Sequence, residues 1–367
     1  MPDAYQSRSG YESLDPFIGE IMRICKMLAF TLFALILSSY CLAQNYPSME
    51  ISNGQIRAKV YLPNADKGFY RSTRFDWSGA IGSLEYRGHN YYGPWFASTD
   101  PKVWDLATET PEVISAPFTA MVGPAEEFNT DGTALGWSEA KPGGTFVKIG
   151  VGVLRKPAND DRYDHSKPYD IVDGGKWSVK NNRDSIEFTH VLNDPADGYG
   201  YVYRKVIRLI PGKPEMVIEH SLRNTGSKEI VSTVYNHNFL VLDKQAPGPD
   251  FTITVPFQLK PARPLNPALG EVRGNQITWV KTLEKTDRMA GRFGGFSDKA
   301  SDYDIRVENR KVRAGFHVRG DHPLTNLALW SIRTVLAIEP YNSMSIAPGK
   351  EFDWKLNYDY YTLPVPK

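Results

Sequence analysis

Cysteine is almost missing from this chain. There are two, Cys25 and Cys41, both close to the N-terminus. Residues 44–367 therefore offer no disulfide framework, no thiol nucleophile and no Cys-based metal site, and a large core has to hold them instead. An excess of one charge sign is missing too: 43 Lys and Arg stand against 42 Asp and Glu, for a formal net charge of +1. With no Lys/Arg block either, electrostatic capture of nucleic acid or an anionic membrane has no support, and the balance points to neutral substrates. Low-complexity linkers, internal repeats and sustained helical periodicity are also lacking, so nothing divides residues 44–367 into more than one domain.

Only one long apolar run exists, Leu28 to Leu37, and its ten residues fall short of the ~20 that a membrane-spanning helix needs. Arg23 and Lys26 precede it and Cys41-Leu42-Ala43 follow. A basic region, a short apolar stretch and small residues make up the order of a secretory signal peptide. Translation is expected to start at Met22 or Met27, with cleavage near Ala43 and a periplasmic or secreted product beginning at Gln44. An uncleaved anchor is the alternative. Intact mass of the protein recovered from the envelope fraction separates the two, and residues 1–43 still attached would contradict export by cleavage.

What remains is a series of short β-prone runs: Gln55 to Tyr61, Phe146 to Leu154, Ser185 to Val191, Tyr201 to Ile210, Phe251 to Val255, Val312 to Val318 and Leu327 to Ile338. Turn signals such as Asn53-Gly54, Asp131-Gly132, Pro211-Gly212 and Pro348-Gly349 fall between them. The pattern predicts an all-β fold, a large antiparallel β-sandwich.

Aromatics cluster early, with Arg71, Arg74 and Asp76 interleaved among Phe69, Tyr70, Phe75 and Trp77, and Trp95 and Phe96 shortly after. Flat rings stack on the apolar face of a sugar while polar groups fix its hydroxyls, so the cluster fits a carbohydrate cleft. Packing of two sheets by the same rings is the plainer reading. Glu126, Glu127 and Asn129 follow in a loop-like segment and are candidate ligands.

Two stretches carry the chemistry. Val217 to Asp243 reads as two strands joined at Asn224-Thr225-Gly226-Ser227, by a hairpin or a sheet-to-sheet corner, and the second strand ends in Tyr235-Asn236-His237-Asn238-Phe239. Three polar side chains between two aromatics do not suit a strand that only fills a core. Leu327 to Ile338, with Trp330, reads as one buried strand that delivers Glu339 at its end, where Pro340 would hold it still.

The Tyr235-Asn236-His237-Asn238-Phe239 block, the Leu329-Trp330 run leading to Ile338-Glu339-Pro340, and the Ala347-Pro348-Gly349 turn before a final strand resemble, in order and spacing, the galactose mutarotase-like (aldose 1-epimerase) superfamily. That resemblance implies a β-supersandwich with an open carbohydrate cleft, His237 and Glu339 as catalytic residues, and Arg74 as the substrate-binding arginine. A second histidine would be expected between Glu126 and Gly136. None is there, which leaves Glu126, Glu127 or Asn129 as replacements.

Opening a hemiacetal ring needs a base for the anomeric hydroxyl and an acid for the ring oxygen. Glu339 would be the base and His237 the acid, on opposite sides of a sugar-sized space, with Arg71, Arg74, Asp76, Trp95, Glu127, Asn236 and Trp330 around the substrate. No cofactor or metal is required, and His89, His165, His190, His220, His317 and His322 show no metal-ligand spacing. A non-catalytic carbohydrate-binding or envelope protein on the same fold is the rival reading. A polysaccharide lyase acting on a uronate is a third.

Overall fold

Alternation decides most of the architecture. In the Ser185–Asp194 and Glu351–Thr362 strands, inward side chains alternate with solvent-facing ones, the period that buries one face of a sheet. The computed structural model describes residues 46–159, 162–194 and 197–365. The signal-peptide expectation concerns residues outside that set. Tyr46 to Lys367 form one compact unit, and the fold is all-β.

Two antiparallel sheets make up its bulk. The larger has ten strands, ordered Lys176–Asn181, Ser185–Asp194, Tyr199–Leu209, Glu215–Asn224, Glu351–Thr362, Ala314–Gly320, Asp304–Asn309, Phe251–Thr254, Gln276–Trp279 and Gly270–Arg273. The smaller has six, ordered Lys260–Pro261, Arg288–Gly294, Asn326–Ile332, Val335–Ile346, Ile230–Leu240 and Gly123–Asn129. Leu327, Leu336, Ile338 and Leu240 of the smaller sheet share a core with Ile186, Ile207, Ile218 and Tyr358 of the larger. The Asn224 turn is a sheet-to-sheet corner, since the strands on its two sides lie in different sheets.

The smaller sheet is covered on its outer side as well, but only in part. Phe75, Trp77, Trp95, Met121 and Val122 pack there against Phe239, Ile332 and Val335. This explains why Val335–Ile346 opens with six consecutive buried residues instead of alternating. The uncovered remainder of that outer face is the floor of a cleft.

Two of the expected strands are hairpins. Leu327 to Ile338 breaks at Arg333-Thr334, with Ile332 paired to Val335, so Glu339 sits within the Val335–Ile346 strand and not at a strand end. No Gly or Asn marks that turn. Arg333 holds it from outside, donating to the carbonyls of Thr108 and Thr110 (2.5 and 2.9 Å). Phe146 to Leu154 likewise divides into Thr145–Lys148 and Gly152–Arg155. Gly150 in the turn has φ +77°, and a Cβ there would lie 2.7 Å from Asp76 Oδ1, so both backbone and space require glycine.

Candidate active site

The site is built from the pleat. On Ile230–Leu240, Tyr235, His237 and Phe239 face the cleft, while Val234, Asn236 and Asn238 face the larger sheet. Tyr235 pairs with Tyr341 and Asn238 with Ile338, a register that sets His237 opposite Glu339. Pro340 has no N–H to give the ladder at this point. Asn238 closes the gap by donating to the carbonyls of Ile338 and Asn236 (2.9 and 3.2 Å), while Tyr358 donates to its Oδ1 (2.8 Å).

His237 Nε2 lies 3.1 Å from Glu339 Oε1. The two groups are therefore in direct contact, not across a sugar-sized space as the sequence suggested. Phe239 stacks on the imidazole with centroids 3.8 Å apart, and Phe75 and Trp330 meet it edge-on at 5.6 and 5.7 Å. Burial, followed by the charge of Arg74, holds His237 well below the ordinary histidine pKa. Its buried Nδ1 has no hydrogen-bond partner among the described residues. Glu339 is shifted the other way: burial raises it to about 7, against the opposing pull of Arg74. Tyr341 donates to its second oxygen at 3.3 Å.

Glu127 binds Arg74 Nε at 2.7 Å and Lys148 Nζ at 3.2 Å, and Tyr235 donates its hydroxyl to the same carboxylate. Burial would raise Glu127, but Lys148 and Arg74 outweigh it and keep the carboxylate ionised below its usual range. Its work is to fix Arg74, whose Nη2 also reaches Tyr235 (3.1 Å). With that carboxylate spoken for by two cations, Glu127 is a poor stand-in for an acid–base histidine.

Arg74, Glu127, Tyr235, His237 and Glu339 line a cleft of about 1530 Å³ together with Trp95, Trp330, Phe75, Asn129 and Tyr341. That is larger than a pocket for one small molecule, ~300–1,000 Å³, and has room for more than one sugar ring.

Four expected ligands lie elsewhere. Asp76 is buried between the sheets, accepting from Ser78 and Tyr203 (2.6 and 3.1 Å) and paired with Lys205 at 3.3 Å. Asn236 faces inward by the same alternation that sends His237 outward, and it donates to Glu126 at 2.8 Å. Glu126, expected on a loop, is in the Gly123–Asn129 strand and points inward, pairing with Lys205 and, at 2.9 Å, with His220 Nε2. Arg71 lies over the ring of Phe118, 3.4 Å from its centroid, outside the cleft lining.

Sequence reasoning missed His165 and Asp105, both in the cleft wall. His165 is exposed there, and partial desolvation by the cleft wall, followed by the charge of Arg74, pulls its pKa down. It comes some thirty residues after the segment where a second histidine was expected, in a loop with no strand period to mark it. Among the described residues no group of three or more His, Cys, Asp and Glu is arranged to hold a metal. No described helix is long and apolar enough to cross a membrane.

No protein-family model and no curated protein sequence matches the chain. Solved structures do match. A galactose mutarotase related enzyme from Lactobacillus acidophilus is similar over 87% of this chain and 99% of its own, at 14% identity and a TM-score of 0.50. A candidate aldose 1-epimerase from Escherichia coli K12 is similar over 86% and 99%, at 12% identity and a TM-score of 0.51. At such identities the likeness concerns the fold, and the fold of this chain is the galactose mutarotase-like one.

Proposed function

We propose that the protein interconverts the anomers of an aldose or sugar derivative, with Glu339 and an imidazole as the proton-transfer pair. The observation that carries this reading is Glu339 itself, a carboxyl raised to about 7 and set at the floor of an aromatic cleft. A general acid–base group works best with a pKa near the working pH. Ring opening takes the proton from the anomeric hydroxyl and delivers one to the ring oxygen, and closure from the other face reverses the two roles. The names of the two structural neighbours agree with this chemistry.

Two imidazoles serve the carboxyl in different ways. His237, stacked and enclosed, shares its Nε2 contact with Glu339 and positions the group. His165, exposed in the cleft, is the ring with access to substrate and takes the acid's part that the sequence assigned to His237. Catalysis needs one member of the pair protonated and the other not. Since Glu339 titrates at about 7 and His165 below its ordinary 6.5, kcat/KM should be bell-shaped, declining above about pH 7 and again below the imidazole's value.

NMR exchange between α and β anomers, measured against the spontaneous rate from pH 5 to 9, tests this. His165→Ala and His237→Asn should each reduce the acceleration at least ~10-fold, at the low end for a lost proton-transfer or positioning group. A rate that climbs to a plateau above pH 7, with both substitutions silent, would remove the imidazole and leave Glu339 as a lone base, while exchange at the spontaneous rate would leave a binding protein on this fold.

A further inference from the structure

The overall charge balance hides a local imbalance. Arg288, Ala290 and Arg292 occupy alternate positions of the Arg288–Gly294 strand and face the cleft, while Met289 and Phe293 of the same strand are buried. Arg263, on the adjoining loop, lines the same wall. Among the described residues none of these three arginines is held in an ion pair by a carboxylate of the chain.

Register places them with respect to the chemistry. Arg292 pairs with Ala328, Ala328 pairs with Glu339, and Glu339 stands opposite His237. With strands about 4.8 Å apart, the Arg292 and Glu339 backbones are separated by roughly 10 Å. Between them lies only the methyl group of Ala328. One pair further along, Ala290 is opposite Trp330, so an indole borders this trough and Arg288 lies beyond it. The backbone N–H of Ala262 donates to the Arg292 carbonyl at 2.8 Å, which ties the Arg263 loop to the same row.

The cleft's carboxylates do not balance these cations. Glu127 is taken by Arg74 and Lys148, and Glu339 by His237 and Tyr341. Asp105 alone is left for three arginines. A sugar ring over Glu339 would extend across Ala328 and bring a substituent to the guanidinium groups. Guanidinium binds carboxylate, sulfate and phosphate oxygens in paired, charge-assisted hydrogen bonds, about twice as strong as those it makes to uncharged hydroxyls.

We propose that the substrate is an acidic saccharide, a sugar bearing a carboxylate, sulfate or phosphate, whose anionic group is held by Arg292 with Arg288 and Arg263 while its reducing carbon lies at Glu339. This corrects the preference for neutral substrates drawn from net charge, because recognition depends on the lining of one cleft and not on the sum over the chain. It rests on the cleft being a sugar site, so binding and turnover have to be measured separately.

Calorimetry compares glucuronate, galacturonate, glucose 6-sulfate and glucose 6-phosphate with glucose and galactose. At least one acidic sugar should bind ~10- to 100-fold tighter than its neutral parent, as one or two charge-assisted contacts allow, and less so in high salt. The arms also tell carboxylate from sulfate and phosphate. In Arg292→Ala and Arg288→Ala the acidic-to-neutral affinity ratio should fall toward one, and in Arg292→Glu below it. Both positions are exposed, so the fold tolerates the changes. Equal affinities in the unmodified protein, or a ratio that the substitutions leave in place, would overturn the proposal. Acidic sugars bound through these arginines without anomer exchange would instead remove the epimerase reading, and exchange of neutral sugars with no acidic preference would remove only this one.

Discussion

Glu339→Gln should abolish most of the anomer-exchange activity while leaving a folded protein that still binds sugar. The amide keeps the size of the carboxyl, and its oxygen can go on accepting from Tyr341, so the packing of Phe239, Trp330 and His237 around it is retained. What disappears is a proton acceptor with a pKa near 7. Removal of a positioned acid–base group typically costs ~10²–10⁴-fold in rate, and Glu127 does not replace it. That carboxylate is held in its ionised form by Arg74 and Lys148 and is too weak a base. The loss should appear in kcat, with KM changed little. A fall in binding equal to the fall in rate would mean that Glu339 is a ligand and not a base.

The same carboxyl leaves a trace in stability. Its folded pKa lies above the unfolded value, so the folded state holds the extra proton between about pH 4.5 and 7. Folding is favoured by this group at the acid end of that window, and the contribution is lost as pH rises through 7. Glu339→Gln should flatten that part of the profile.

The second large effect is structural. Lys205 is fully buried between the sheets, paired with both Asp76 and Glu126, with His220 on the other side of Glu126 and stacked on Trp354 at 4.4 Å. Lys205→Met keeps much of the side-chain volume but leaves two carboxylates facing each other out of reach of water. Breaking a buried ion pair from one side costs about 3–5 kcal/mol, because the partner's charge stays behind without compensation. Denaturant unfolding should show a loss of that size. Adding Glu126→Gln should recover part of it, since the two positions are coupled. A loss under ~1 kcal/mol would mean that His220 and the surrounding hydroxyls suffice for the carboxylates. Glu126, Asn236 and the cleft-facing His237 share neighbouring positions, so the cluster also supports the floor of the site from beneath.

Much of this was legible in the sequence, for definite reasons. Strand alternation and the Gly, Asn and Pro turn signals marked the sandwich, and the polar break in Tyr235 to Phe239, with Glu339-Pro340, marked the floor of the cleft. Alternation also required Asn236 to point away from His237, but it does not say which face is the cleft until the second sheet is in place. Asp76 and Glu126 looked exposed because their partner Lys205 is 129 and 79 residues away, and pairing at that range leaves no local pattern. The Arg333-Thr334 turn was hidden because Arg333 holds it through distant contacts with Thr108 and Thr110, not through local turn chemistry. His165 was hidden because loops carry no period. Arg288 and Arg292 did have a signal, the i, i+4 spacing on a strand with apolar residues between, and it acquires meaning only once Ala328 and Glu339 are seen in the same row.

The most direct test of the central claim is saturation-transfer NMR on the unmodified protein, reading α/β exchange across a panel of neutral and acidic aldoses near pH 6.5. At least one sugar should exchange faster than the spontaneous rate, with the acceleration lost in Glu339→Gln and declining above about pH 7. Sugars that bind in the cleft while exchanging at the spontaneous rate across the whole panel would contradict that claim.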